Sequence, residues 1–139
     1  MTAFLWALVT AGIWGVVPVM EKLGLGQASP SVGVMVRSYG VVLGLLVFGW
    51  MAAPWSALRM LSGTTIALLM AGGFLASFVG QLAFYHALKV GAVSQIAPVA
   101  GTYPLVAAVL GWVVLREPFT PSRSLGVLCI VAGVVLLRK

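Results

Sequence analysis

What this chain lacks, over long distances, is charge. No Asp, Glu, Lys, Arg or His stands between Met1 and Met20, between Ser38 and Leu58, or between Val90 and Leu115, and Met60–Leu88 holds only His86. Ser124–Leu137 adds a fifth, shorter stretch. A helix needs about 20 apolar residues to span the core of a bilayer. The spacing therefore predicts an all-α polytopic integral membrane protein with five transmembrane helices. They fall at about 2–21, 31–52, 64–87, 92–115 and 121–138, as a single domain over 1–139. In such a chain, function is sought among the polar residues inside the membrane.

Composition excludes the main alternatives. The chain is 62% hydrophobic and 7% charged, where soluble domains carry about 25% charged residues. Its mean hydropathy is +1.16. The formal charge of +6 comes from basic residues scattered one or two to a loop. That is how membrane proteins anchor and orient themselves, and no basic cluster with interleaved aromatics points to nucleic acid. A lone Cys129 excludes an intrachain disulfide and a cysteine metal site. The start does not read as a signal peptide, having no basic region before the apolar run and no cleavage site after it. An enzyme is not expected. A serine hydrolase needs a nucleophile with a positioned base, a metal hydrolase needs clustered ligands, and His86, Glu21 and Glu117 lie far apart in sequence. No cofactor or metal is expected.

Ser29-Pro30 and Thr120-Pro121 each place a capping hydroxyl before a proline at the first helical position. Pro54 and Ser62-Gly63 bracket a loop, and Lys89-Val90-Gly91 is a short turn that predicts an antiparallel hairpin of the third and fourth helices. The uncharged part of the fifth helix covers only about 21 Å of a core about 30 Å thick, so Arg123 and Arg138 are expected to snorkel outward. Small residues mark the faces expected to pack: Gly33, Gly40 and Gly44; Gly72, Ala76 and Gly80; Gly126, Cys129 and Gly133.

Charge gives little orientation. With the N-terminus, the 52–63 loop and the 116–121 loop on one side, that side holds Arg59, Arg116 and Arg123. The other holds Lys22, Lys89, Arg138 and Lys139, plus Arg37 if it snorkels. The positive-inside rule normally gives a decisive excess. Two readings follow: insertion both ways, or one orientation with the N-terminus outside. Trp6, Trp50, Trp55 and Trp112 fall toward the N-terminal side as an aromatic belt, and Trp14 lies mid-helix.

The intramembrane polar residues form candidate faces. Thr10, Trp14, Pro18 and Glu21 share one face of the first helix, which Pro18 is expected to kink. Glu21 reads either as an interfacial carboxylate beside Lys22 or as an acid at a cavity mouth that binds a cation or carries a proton. Arg37 lies about 10 Å into the second helix, on the glycine face. It is either a structural arginine, snorkelling or paired with Glu21, or a contact for a substrate carboxylate or phosphate. Gly73, Ser77, Gln81 and Tyr85 recur every fourth residue, a polar stripe expected to line a substrate path or to bond between helices. His86 is an interfacial histidine or a proton relay. Gln95, Pro98, Thr102, Tyr103 and Pro104 mark a broken fourth helix of the kind that lines transporter cavities. Glu117 and Pro118 are expected to close the following turn.

Several of these residues stand in a recognisable order. Trp14-Gly15 is followed by Pro18, and Ser29-Pro30 leads to Arg37. Phe84-Tyr85-His86-Ala87-Leu88-Lys89 precedes Ala92 and Pro104, and Leu115-Arg116-Glu117-Pro118-Phe119-Thr120 precedes Gly126 and Gly133. Together they resemble one half of the EamA family, in the drug/metabolite transporter superfamily. The resemblance implies a transporter of small metabolites, often an exporter, in a bacterial inner membrane. Most members have ten helices in two five-helix repeats of opposite orientation. A single repeat implies an antiparallel, dual-topology homodimer in the bilayer, with the cavity between subunits and alternating access to it. The alternative is an accessory or lipid-carrier-flipping subunit that needs an inverted partner protein.

Overall fold

The computed structural model describes residues 3–52, 55–118 and 120–136, with Ala52 and Arg123 as backbone alone. The expectations for Pro54, Phe119, Arg138 and the Arg123 side chain lie outside the described residues. The described elements are helical: α1 (Ala3–Leu25), α2 (Pro30–Ala52), α3 (Trp55–Arg59), α4 (Gly63–Phe74), a π-helical segment Leu75–Gly80, α5 (Gln81–Val90), α6 (Val93–Ala100), α7 (Tyr103–Val113) and α8 (Pro121–Leu136). Four stretches are long and apolar enough to cross a membrane: Ala3–Leu25, Pro30–Met51, Gly63–Val90 and Val93–Val113. A shorter apolar helix, Ser124–Leu136, follows. The all-α polytopic reading holds. Residues 1–90 and 91–139 form two compact units, taken in turn.

In the first unit, α1 runs past the expected end at residue 21 to Leu25. Glu21 and Lys22 do not stop it because both are bonded: Lys22 donates to the Leu88 carbonyl oxygen, and Glu21 is held as described below. Gly26, with φ +26°, ends the helix by a conformation that suits glycine. The Ser29 cap forms as expected, its hydroxyl oxygen accepting from the Val32 N–H at 3.4 Å. Ser62 caps α4 through the Thr65 N–H at 3.2 Å. The loop expected at 52–63 contains the short α3. The third span is continuous from 63 to 90 but carries the π-helical segment over Leu75–Gly80. Such a segment changes the phase of a helix and is frequent at functional sites.

The α1, α2 and α5 helices meet at one end of the unit. Leu25, Val34, Tyr85 and Leu88 are the buried hydrophobic side chains there, and the α1 proline, Pro18, is buried with them. Gly33 makes the approach possible. A methyl group on it would lie 2.7 Å from Leu25 Cδ2 and 2.9 Å from the Tyr85 ring. At the same end, Lys89 Nζ donates to the Gly26 carbonyl at 2.7 Å. Lys22 and Lys89 thus cross-link the end of α1 and the end of α5 through carbonyls left open at helix termini. Away from this end the apolar residues face outward, such as Leu46 and Met70. Hydrocarbon, not water, is the solvent for that surface. Among the glycines of the expected packing faces, Gly33 is the one that meets side chains of other described helices. Gly40, Gly44, Gly72, Gly126 and Gly133 face open space in the chain.

In the second unit, the fourth span is broken as its prolines predict, into α6 and α7 around Gly101 and Thr102. Pro98 sits inside α6, and Pro104 in the first turn of α7, where a missing N–H costs nothing. The break is bonded internally: Gly101 N–H to Ala97 O at 2.8 Å, and Thr102 Oγ1 to Val99 O at 2.6 Å. After α7, Arg116 takes φ +55°, a left-handed conformation uncommon outside glycine. The chain turns back on itself there, and Glu117 N–H reaches Gly111 O at 3.1 Å. The α8 cap differs from expectation. Its Thr120 hydroxyl oxygen is buried without a partner, and the backbone bond from Ser124 N–H to Thr120 O begins the helix instead.

Candidate functional site

The polar residues of the first unit converge on Glu21. Two helices, α2 and α5, deliver three donors to one carboxylate oxygen. Gln81 Nε2 donates to Glu21 Oε1 at 2.9 Å, Tyr85 Oη donates to the same atom at 2.9 Å, and Arg37 Nε lies 3.2 Å from it. The Glu21 side chain is 9% exposed and that of Arg37 31%. An ionised carboxylate removed from water loses several kcal/mol of hydration unless paired and hydrogen-bonded. The guanidinium and two neutral donors replace that hydration here.

The arrangement follows from local geometry. Gln81 and Tyr85 are one helical turn apart on α5, so their side chains share a face. Tyr85 is clamped by Gly33, which leaves its hydroxyl little freedom to leave Glu21. Arg37 lies one turn after Gly33 on α2. Ser38, its neighbour, bonds back to the Val34 carbonyl at 2.8 Å and keeps its hydroxyl within α2.

Two polar atoms of the cluster carry no bond. Glu21 Oε2 and Arg37 Nη1 are both buried and unpartnered. The cluster therefore offers one spare acceptor and one spare donor next to a satisfied pair. Buried groups of this kind are costly to leave open, and either a polar ligand or water would satisfy them.

Four of the residues singled out in the sequence, Glu21, Arg37, Gln81 and Tyr85, come together. Ser77 does not join them and is exposed. The π-helical segment lies between Gly73 and Gln81 and takes the stripe out of the fourfold register that the sequence spacing implies. Trp14 is exposed on α1, and His86 is exposed near the end of α5. Gln95, Thr102 and Tyr103 belong to the second unit: Gln95 is half-buried on α6, Thr102 closes the helix break, and Tyr103 is exposed at the start of α7. The carbonyl contacts of Lys22 and Lys89 were not foreseen. Their one sequence signal is the placement of a lysine in the last turn of each helix, where it favours the open carbonyls. Among the described residues no group of three metal-ligating side chains occurs.

Comparison with known proteins agrees with the architecture. A curated relative from Sinorhizobium sp., the "Uncharacterized transporter in cobO 3'region", is 27% identical over 132 residues, covering 95% of this chain and 93% of its own. No solved structure matches. The model of the EamA-like transporter family matches residues 1–139, although this chain is about half the usual size. The chain therefore belongs to the EamA-like transporter family.

Proposed function

We propose that this protein carries a small polar metabolite or drug across a bacterial inner membrane, and that the Glu21 cluster is where the cargo is held. The observation that carries this reading is the pair of unpartnered atoms, Glu21 Oε2 and Arg37 Nη1, beside a carboxylate oxygen held by donors from α2 and α5. A cargo with a donor and an acceptor a few ångströms apart, as in amino-acid-like metabolites, satisfies both. Gln81 and Tyr85 position Glu21, which is also the candidate for proton coupling. Trp14, on the same helix as Glu21, is the proposed aromatic wall of that site.

The proposed assembly is an antiparallel homodimer working by alternating access. Its support is the weak charge asymmetry across the membrane, together with the open Gly40 and Gly44 of α2. Those two have the GxxxG spacing that lets helices of two chains approach closely. Two measurements test the proposal. C-terminal reporters active on opposite membrane sides should both signal, and purified protein in liposomes should move an amino-acid-like substrate without a second protein. In that assay E21Q and R37Q should each abolish flux. A single orientation with no flux would overturn the homodimer and favour an accessory subunit with an inverted partner. Normal flux in both variants would overturn the site.

A further inference from the structure

The second unit contains a cleft of about 270 Å³ between α7 and α8, and its chemistry differs from that of the Glu21 cluster. Leu105, Val109 and Trp112 line it along α7, Leu128 faces them from α8, and Glu117 and Thr120 close the loop end. Its α7 wall runs about 10 Å, from Leu105 to Trp112, at about 1.5 Å a residue. The cleft is therefore apolar along its length and polar at one end.

The polar end is unfinished. No hydrogen bond or ion pair engages the Glu117 carboxylate among the described residues, and the Thr120 hydroxyl oxygen is buried without a partner. The turn at Arg116 sets the carboxylate, which lies against Gly111 at 3.4 Å from where a Cβ would stand. A carboxylate that lines the same cleft as an indole suits an ammonium group, which is drawn both to the carboxylate and to the aromatic face. Exposed Arg116 stands next in the chain. It does not line the cleft itself, but it is the nearest cation in sequence to Glu117 and supplies a partner for a phosphate that projects from the loop end. An acyl chain fits the apolar wall, and the end of a membrane span is the depth of a lipid headgroup.

We infer that this cleft binds an aminophospholipid: the ammonium of phosphatidylethanolamine on Glu117 and Trp112, its phosphate toward Arg116, and one acyl chain along α7. The site shares no residue with the Glu21 cluster and does not rest on the transport reading.

The test is native mass spectrometry of the full chain in detergent. The probes are dioleoyl phosphatidylethanolamine, its N-acetylated derivative and the matching phosphatidylglycerol. The expected result is retention of phosphatidylethanolamine about tenfold above the other two, the size of one charge-assisted contact. E117Q should remove that preference while leaving phosphatidylglycerol retention unchanged, and E117D should restore part of it. Equal retention of the three lipids by the unaltered protein overturns the inference without any variant having to fold. Retention of phosphatidylethanolamine by folded E117Q at the unaltered level overturns it too. Binding of dodecylammonium but not phosphatidylethanolamine would reassign the cleft to soluble amines.

Discussion

Gly33→Ala tests whether helix packing and the polar cluster are one mechanical unit. The added methyl group would stand 2.7 Å from Leu25 Cδ2 and 2.9 Å from Tyr85 Cδ2 and Cε2. Carbon contacts settle near about 3.5–4.0 Å, so the ring must move by about 0.6 Å or more. Leu25 can rotate its terminal methyl, but the Tyr85 ring is rigid and 4% exposed. Its hydroxyl lies 2.9 Å from Glu21 Oε1, and the displacement stretches that bond past useful range. Overpacking costs about 1–3 kcal/mol, and the lost bond about 1 more. Alanine returns about 1 kcal/mol through helix propensity. The net loss is about 1–3 kcal/mol, read as a lower unfolding temperature of the detergent-solubilised protein. Gly12→Ala is the control, because nothing lies within 4 Å of its position; it should be neutral or slightly stabilising. Y85A removes the ring, so adding G33A to it should cost little more. A G33A protein as stable as G12A, or one whose loss persists in full beside Y85A, would refute the clamp.

Two further outcomes follow from the same end of the molecule. R37Q leaves Glu21 with neutral donors only and should destabilise the protein by about 1–3 kcal/mol, the range for stranding a partly buried partner, whereas E21Q/R37Q should recover most of that loss; a double variant less stable than R37Q would contradict the pairing. Replacing both Lys22 and Lys89 with methionine removes two charge-assisted bonds to the Leu88 and Gly26 carbonyls. It should speed amide hydrogen exchange over residues 86–90, and unchanged exchange there would show that the lysines do not hold these helix ends.

The spans were legible because their signal is additive. Four long apolar stretches and one short one are visible without any knowledge of packing, and the prolines at 98 and 104 place the break in the fourth span. The end of the first helix was not legible. Charged residues at 21 and 22 look like an interface, and only the partners on α2 and α5 explain why the helix continues through them. The Thr120 cap failed for a similar reason: a serine or threonine before proline marks a helix start, but whether its hydroxyl bonds the backbone depends on what else lines its surroundings.

The polar stripe teaches more, because it was half legible. Fourfold spacing put Gln81 and Tyr85 on one face, and that holds over a single regular turn. Extending it to Ser77 assumed an unbroken α-helix, and a π-helical segment leaves no mark in a run of Leu, Ala, Ser, Phe, Val and Gly. The consequence for mechanism is physical. The α5 helix is tied to α1 and α2 by the Glu21 cluster, the Gly33 clamp and the two lysines, while the part of the same span before residue 75 carries no buried side chain. A π-helical segment between a fixed half and an unanchored half is where a change of phase meets the least resistance. Movement of this span would therefore rotate Gly63–Phe74 and leave Gln81 and Tyr85, which hold the proposed cargo site, in register. The alternating-access cycle proposed above needs that division: one part of a helix to move, and one to keep hold.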